Sequence, residues 1–227
     1  MSDWLKSIFV QNKDVTHRDQ ILFIIEKATN GIIDVSEWMN ELSEAYASSL
    51  FDVPPYLNPD ALEVFKRFKA RGMKIGLILN TGKTPGFALK RFLEINDVIE
   101  YFDVMLFSDE IGIRKPDYKI FHLVAERLNA KPREIIHVGD NLVSDIRGAK
   151  NAGFKAIHFS TDFGRDRIAE SNPDSLVTFS RRLGDLKEEE IEADLTINSL
   201  KEITNILNRN NDLLFGKSLF SSSRCEE

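Results

Sequence analysis

The residues of this chain best suited to chemistry are Lys115, Asp140 and Asp145. Asp140 closes the apolar run Ile135-Ile136-His137-Val138-Gly139, the pattern of a buried parallel strand. Open α/β sheets place their ligands at the carboxyl ends of such strands. Asp145 follows about one helical turn further on, in a helix predicted from Asn141 to Ala152 and capped by Gly153. Leu142, Ile146, Ala149 and Ala152 mark its inward face. Two carboxylates meeting there make a hard oxygen site, which suits Mg²⁺ better than zinc or copper. Read alone, Asp140 or Asn141 would be a helix cap and Asp145 a solvated charge.

Two further segments carry polar groups at predicted strand ends. Lys115 precedes Pro116, which keeps it out of a helix and holds it on a loop. A lysine so placed can neutralise a phosphoryl oxygen and pair with an attacking carboxylate. Asn80, Thr81 and Gly82 follow the strand KIGLIL, and backbone N–H groups of such a loop can hold phosphate. Taken singly, each is more often an ordinary turn or a surface lysine.

These groups need a scaffold, and the chain supplies a β/α alternation. Strands are predicted at Lys74–Leu79, Val104–Phe107, Ile135–Val138 and Lys155–Phe159, with an edge strand at Ala193–Ile197. Helices are predicted at Asp60–Arg71, with Leu62, Phe65 and Phe68 inward, from Phe87, at Asp117–Leu128 and at Ser199–Leu207. Such alternation implies a parallel sheet with helices on both faces. Ahead of Pro54, Pro55 and Pro59, a helix at His17–Ala28 should bury Ile21, Ile24, Ile25 and Ala28. A second, at Glu37–Leu50, should bury Trp38, Leu42, Ala45 and Leu50, with Asp34 or Ser36 as its cap. The predicted organisation is a helical cap or core-completing pair in 1–53 and an α/β core in 54–207. That core holds an irregular excursion at 161–192, and a polar tail follows at 208–227. His122, His137 and His158 show no metal-ligand spacing and read as packed or surface histidines.

In this order and spacing, NTGKTPG, YFDVMLFSDEIGIRKPDYKIF and HVGDNLVSDIRGAKNAG closely resemble the haloacid dehalogenase-like (HAD) hydrolase superfamily. The resemblance runs from about Pro54 to Phe159. It implies a three-layer, doubly wound α/β fold with a small N-terminal helical cap. It implies Mg²⁺-dependent phosphoryl transfer through an aspartyl-phosphate, or dehalogenation in some members. The expected activity is a phosphatase acting on a small phosphorylated metabolite. By the same resemblance, Lys115 steadies the nucleophile and the phosphoryl group, and Asp140 is the acidic Mg²⁺ ligand. Asp145 is the second acid supporting the metal, and Asn80, Thr81 and Gly82 contact phosphate.

Two positions depart from the family pattern. No Asp-x-Asp occurs in the 227 residues, so the nucleophile is unknown. The best placement of the first strand, KSIFVQNKDVT, puts Gln11 and Lys13 where the two acids belong. Leu79 stands where the family has a Ser or Thr, and Thr81 partly substitutes. Three explanations compete: a nucleophile strand upstream of this sequence, a first motif decayed in place, and an unrelated acid. The intact Lys115, Asp140 and Asp145 favour the first. Leu79 favours the second, which would leave a binding or regulatory protein without turnover. A dehalogenase is a weaker alternative, because it would not need the acidic pair.

Composition narrows the remaining classes. Hydrophobic residues make up 42% and charged residues 29%, as in an ordinary globular protein. A net charge of −6 argues against a nucleic-acid footprint. The only cysteine is Cys225, so no disulfide can form within the chain. No secretory signal or membrane-length apolar run is found, so the expected location is cytoplasmic. Substrate and oligomeric state stay open.

Overall fold

The computed structural model describes residues 11–82, 84–160 and 191–209. The readings made above for 1–10, for 161–190 and for the tail from 210 lie outside the described residues. The element order is α1 (His17–Thr29), α2 (Met39–Asp52), α3 (Ala61–Lys69), β1 (Gly76–Leu79), α4 (Gly86–Ile95) and β2 (Val104–Phe107). There follow α5 (Ser108–Ile111), α6 (Tyr118–Leu128), β3 (Ile136–Gly139), α7 (Gly148–Asn151), β4 (Lys155–Phe159), β5 (Leu195–Ile197) and α8 (Lys201–Arg209). No helix among the described residues is long and apolar enough to cross a membrane.

All strand pairs are parallel, as the β/α alternation requires. β1 pairs with β2, Gly76 opposite Val104 and Leu79 opposite Phe107. β3 pairs with β4, and β4 with β5. Among the described residues the two pieces are not joined: the order is β1-β2 in one and β3-β4-β5 in the other. Among the described residues β1 and β3 both line an apolar cavity of about 820 Å³. The burial pattern around it differs from what the periodicity anticipates. Parallel strands of α/β proteins are normally buried on both faces, yet every residue of β3 is only half-buried and Gly76 is exposed. Leu62, Phe65 and Phe68 of α3 are likewise half-buried, while Ala61 and Val64 are buried. Phe65 and Phe68 line the cavity.

Helices cover both faces. On one side α6 and α7 close the main core, in which Ile78, Leu106, Phe121, Val124, Ile146 and Phe154 are buried together. On the other, Ile203 of α8 packs with Ile157, Ile197 and Phe68. The helix ends follow local chemistry. Asp117 caps α6 by accepting the Lys119 N–H at 3.0 Å, and Asn129 ends it in the left-handed region. Thr16 and Asp19 form a reciprocal capping box at the start of α1.

The N-terminal pair forms as expected but turns differently. A short 3₁₀ turn, Ser36–Trp38, precedes α2 and rotates the helix. Met39, Ser43 and Ala47 therefore face inward, while Trp38 is 55% exposed and Ala45 is exposed. In α1, Ile21 and Gln20 are buried, whereas Ile24 and Ala28 are exposed. With only Ile21, Val35 and Met39 at its centre, this pair has too small a core to bury four residues on each helix. A second correction concerns the helix after β3. Leu142–Arg147 is π-helical, and only Gly148–Asn151 is α-helical.

Phe121 ties these layers together. It is fully buried and meets Phe154 and His137 edge-on, with ring centroids 5.8 and 5.2 Å away. Phe121→Ala should cost roughly 3–5 kcal/mol, read as a lower urea midpoint with an unchanged slope.

Candidate active site

β3 delivers His137 and Asp140, and the π turn delivers Asp145. The Asp145 and Ile146 N–H groups both donate to the Asn141 carbonyl, at 2.9 and 3.3 Å. This widened turn points the Asp145 carboxylate back across Gly139 rather than out to solvent. A side chain at Gly139 would overlap Asp145, since a Cβ there would lie 2.3 Å from its Cγ. Only glycine permits that approach. Single π turns of this kind are common where a side chain must be aimed.

Asp145 is buried and fully engaged. Its Oδ1 accepts from Lys115 Nζ at 2.5 Å and lies 3.0 Å from His137 Nε2, and its Oδ2 accepts the Asn141 N–H at 3.1 Å. Burial alone would raise its pKa. The Lys115 charge and the His137 hydrogen bond outweigh burial and hold the carboxyl far below the usual carboxylate range. Burial pushes His137 below its ordinary value, with Asp145 opposing, so the ring is neutral at pH 7.

Lys115 is held from behind. The Asn80 side chain donates to the Lys115 carbonyl at 3.0 Å and accepts the Lys115 N–H at 2.8 Å. The Lys115–Pro116 peptide is cis. Asn80 is thus a brace between two loops, and its amide is spent on backbone. Thr81 is also committed: its N–H donates to Ser108 Oγ at 2.9 Å, and its hydroxyl lies 3.2 Å from the same oxygen. The Gly82 carbonyl accepts from Gln20 Nε2 at 2.9 Å, which docks α1 onto this loop.

Asp140 differs from Asp145 in being exposed, at the carboxyl end of β3. His158 Nε2 lies 3.3 Å from its backbone carbonyl. Lys115, His137, Asp140 and Asp145 all line one end of the cavity. The six residues singled out by sequence thus fall into two groups. Lys115, Asp140 and Asp145 come together, and Asn80, Thr81 and Gly82 position the lysine and the loop beside it.

Sequence reasoning missed three neighbours. His137 was read as a packing residue, yet it completes the shell of Asp145; its only signal was a place in β3 just ahead of Asp140. Ser108 links Thr81 to Asp14, whose Oδ2 it reaches at 2.5 Å. Burial raises the Asp14 pKa, against the Ser108 hydrogen bond and the Arg114 charge. No periodicity could place Asp14 beside Ser108, 94 positions away in the chain.

The donor set fits Mg²⁺ in one respect. Mg²⁺ uses one or two carboxylates and fills its octahedron with water and substrate oxygens. The Asp140 carboxylate can serve in that way. Asp145 has both oxygens occupied and suits the supporting position. Among the described residues no group of three or more His, Cys, Asp and Glu stands ready as a complete metal cage.

The buried pair makes two predictions. Lys115→Met should destabilise the protein by about 3–5 kcal/mol, because it strands a buried carboxylate; thermal unfolding reads this directly. The depressed His137 pKa also gives a sign. Below about pH 6.5 the unfolded imidazole takes up a proton that the folded ring refuses. Stability should therefore fall as pH drops from 7 to 5 in EDTA, and His137→Asn should flatten that slope.

The chain can now be set beside known proteins. The profile of the haloacid dehalogenase-like hydrolases matches residues 4–153, and a second HAD-hydrolase-like profile matches residues 112–203. A glyceraldehyde 3-phosphate phosphatase of Methanopyrus kandleri is 33% identical over 140 residues, 60% of this chain and 57% of that protein. A phosphoserine phosphatase of Thermus thermophilus is 30% identical over 152 residues, 67% of this chain and 56% of that one. A ribulose-1,5-bisphosphate 5-phosphatase of Halopiger xanaduensis is 30% identical over 166 residues, 73% and 62% of the two chains. The chain thus spans little more than half the length of these curated relatives. Among solved structures, a 2-haloacid dehalogenase of Pseudomonas syringae superposes with a TM-score of 0.57 at 23% identity, covering 85% of this chain and 70% of that one. These likenesses and the parallel, helix-covered sheet agree: the chain belongs to the haloacid dehalogenase-like hydrolase family.

Proposed function

We propose that the chain carries the metal- and phosphoryl-binding part of a Mg²⁺-dependent phosphatase site for small phosphorylated metabolites. The observation that carries this reading is the buried Lys115–Asp145 pair beside exposed Asp140, at the carboxyl end of β3. The names of the phosphatase relatives support the substrate class. In this reading Asp140 holds Mg²⁺ directly, and Asp145 orients Lys115 and the loop carrying Asp140. When bound, Mg²⁺ supplies charge neutralisation for the phosphoryl oxygens.

The chain's own residues do the rest. Lys115 Nζ presents a cation at the mouth of the cavity, and Asp145 and the Asn80 brace fix where it points. The Asn80–Gly82 loop acts indirectly: Asn80 holds the Lys115 backbone, and Ser108 fixes Thr81 beside it. Neutral His137 shields Asp145 and accepts no proton at pH 7. A carboxylate nucleophile is the missing part: Asp140 and Asp145 are the only acids at this end of the cavity among the described residues. Asp145 cannot attack phosphorus while both its oxygens are engaged. A second reading, a site that binds phosphate without turnover, is favoured by Leu79 and by the lack of an Asp-x-Asp in the sequence.

Calorimetric titration separates binding from chemistry. Orthophosphate should bind only with Mg²⁺ present, and Asp140→Asn should weaken Mg²⁺ at least about tenfold, equal to ~1.4 kcal/mol. Turnover of small phosphate monoesters by the 227-residue chain should be slight. Mg²⁺-dependent turnover that vanishes in Asp140→Asn would establish the first reading over the second. Binding that ignores Mg²⁺ and Asp140 would sink both.

A further inference from the structure

A chain of hydrogen bonds runs beside the site and joins segments far apart in sequence. β1 and β2 pair in register with Leu79 opposite Phe107, so Asn80-Thr81 and Ser108 leave the sheet side by side. Ser108 is fully buried, and its hydroxyl carries three polar contacts. It donates to Asp14 Oδ2 at 2.5 Å, accepts the Thr81 N–H at 2.9 Å and lies 3.2 Å from the Thr81 hydroxyl. A serine hydroxyl has a single proton to give. With that proton on Asp14, the Thr81 hydroxyl must be the donor in the third contact. The Asp14 carboxylate therefore sets the direction of the whole chain, and Thr81 is held by both its amide and its hydroxyl. Asp14 is itself fixed. Its N–H donates to the Gly112 carbonyl at 3.2 Å, and its Oδ1 accepts the Val15 N–H at 2.9 Å. Ser108 and Gly112 are the two ends of the turn α5, closed by the Gly112 N–H donating to the Ser108 carbonyl at 2.8 Å. Asp14 thus grips that turn at both ends, by its backbone at Gly112 and by its side chain at Ser108.

We propose that Asp14 is a positioning residue for Lys115, acting through Ser108 and the loop after β1. Thr81 follows Asn80 directly, so holding the Thr81 amide holds the peptide plane between the two. Asn80 then exchanges two hydrogen bonds with the Lys115 backbone, at 3.0 and 2.8 Å. Lys115 Nζ in turn meets Asp145. Asp14 does not line the cavity, so its influence arrives only by way of this chain. The charge on Asp14 matters as much as its place. An amide there would donate to Ser108, whose proton would then turn to Thr81 and reverse the chain. Burial raises the Asp14 pKa; Arg114 opposes that rise and Asp109 adds to it. The direction of the chain therefore responds to protonation of one identified carboxyl. The inference rests on the phosphatase reading only for what Lys115 holds.

Amide resonances of the full chain follow these hydrogen bonds without any ligand, so they test Asp14 apart from the phosphatase reading. As pH is lowered from 7, the Thr81 and Lys115 N–H resonances should shift together, with one midpoint above about pH 3.9, the ordinary aspartate value. That shift should vanish in Asp14→Asn. At pH 7 the Lys115 N–H should exchange at least about tenfold faster in Asp14→Asn and in Ser108→Ala, with the amides of α6 unchanged. The double variant should add nothing beyond the larger single effect, since both residues act in one chain. Calorimetric titration then reads the site itself. Orthophosphate with Mg²⁺ should bind about tenfold more weakly to each variant, while Mg²⁺ alone binds as before, because Asp140 lies off the chain. A Lys115 resonance that ignores pH, or that still titrates in Asp14→Asn, would overturn the inference. So would an equal loss of protection in α6, the mark of a merely structural residue, or an unaltered orthophosphate affinity in both variants. If the unsubstituted protein binds no orthophosphate, the phosphatase reading fails, and the amide readouts alone uphold or overturn the role of Asp14.

Discussion

A single buried ion pair sets the terms for this site. Asp145 can keep its charge inside the protein only because Lys115 lies against it, with His137 and the Asn141 N–H completing its shell. Lys115 in turn is immobilised through its own backbone by Asn80. Removing water from two charges is expensive, and the cost is recovered only with close geometry and satisfied lone pairs. That requirement propagates outward. Gly139 must lack a side chain, the turn after β3 must widen, and Phe121 must wedge against both His137 and Gly148. The pair thus reads less as a source of stability than as a device for holding a lysine and an exposed acid at one strand end.

Much of this was legible in the sequence because the relevant signals are local. β2 and β4 fall on the predicted residues: Val104–Phe107 is a continuous apolar run, and Ala156, Ile157 and Phe159 give Lys155–Phe159 its apolar character. Pro116, which cannot continue a helix, placed the start of α6 within one residue: predicted at Asp117, found at Tyr118. What sequence could not show depends on packing over distance. Trp38 and Ile24 have helical spacing, but the small core of α1 and α2 leaves them outside. The π turn was invisible because its cause, the pull of Asp145 towards Lys115, is tertiary. For the same reason the hydrogen bonds of Asn80 to Lys115 and of Thr81 to Ser108 had no signal in the sequence. The site roles rest on resemblance, and the domain limits on the Pro54, Pro55 and Pro59 linker and the β/α alternation.

Two of the described strands, β1 and β3, end beside the same cluster of polar groups. Ligands of doubly wound sheets sit outside the carboxyl ends of the strands, and there β1 leads into the Asn80–Gly82 loop and β3 into Asp140. The cation, the exposed acid and the loop are in place on the two sides.

The Lys115–Asp145 pair is tested most directly by following the Asp145 carboxyl carbon by NMR as pH is lowered from 7 towards the acid limit of the fold. The account predicts that this carbon stays at its ionised shift well below about pH 3.9, where an ordinary aspartate titrates. A midpoint at or above that value would show that Lys115 does not hold Asp145 in its charged form. The site would then lack the constraint on which the metal and phosphoryl assignments rest.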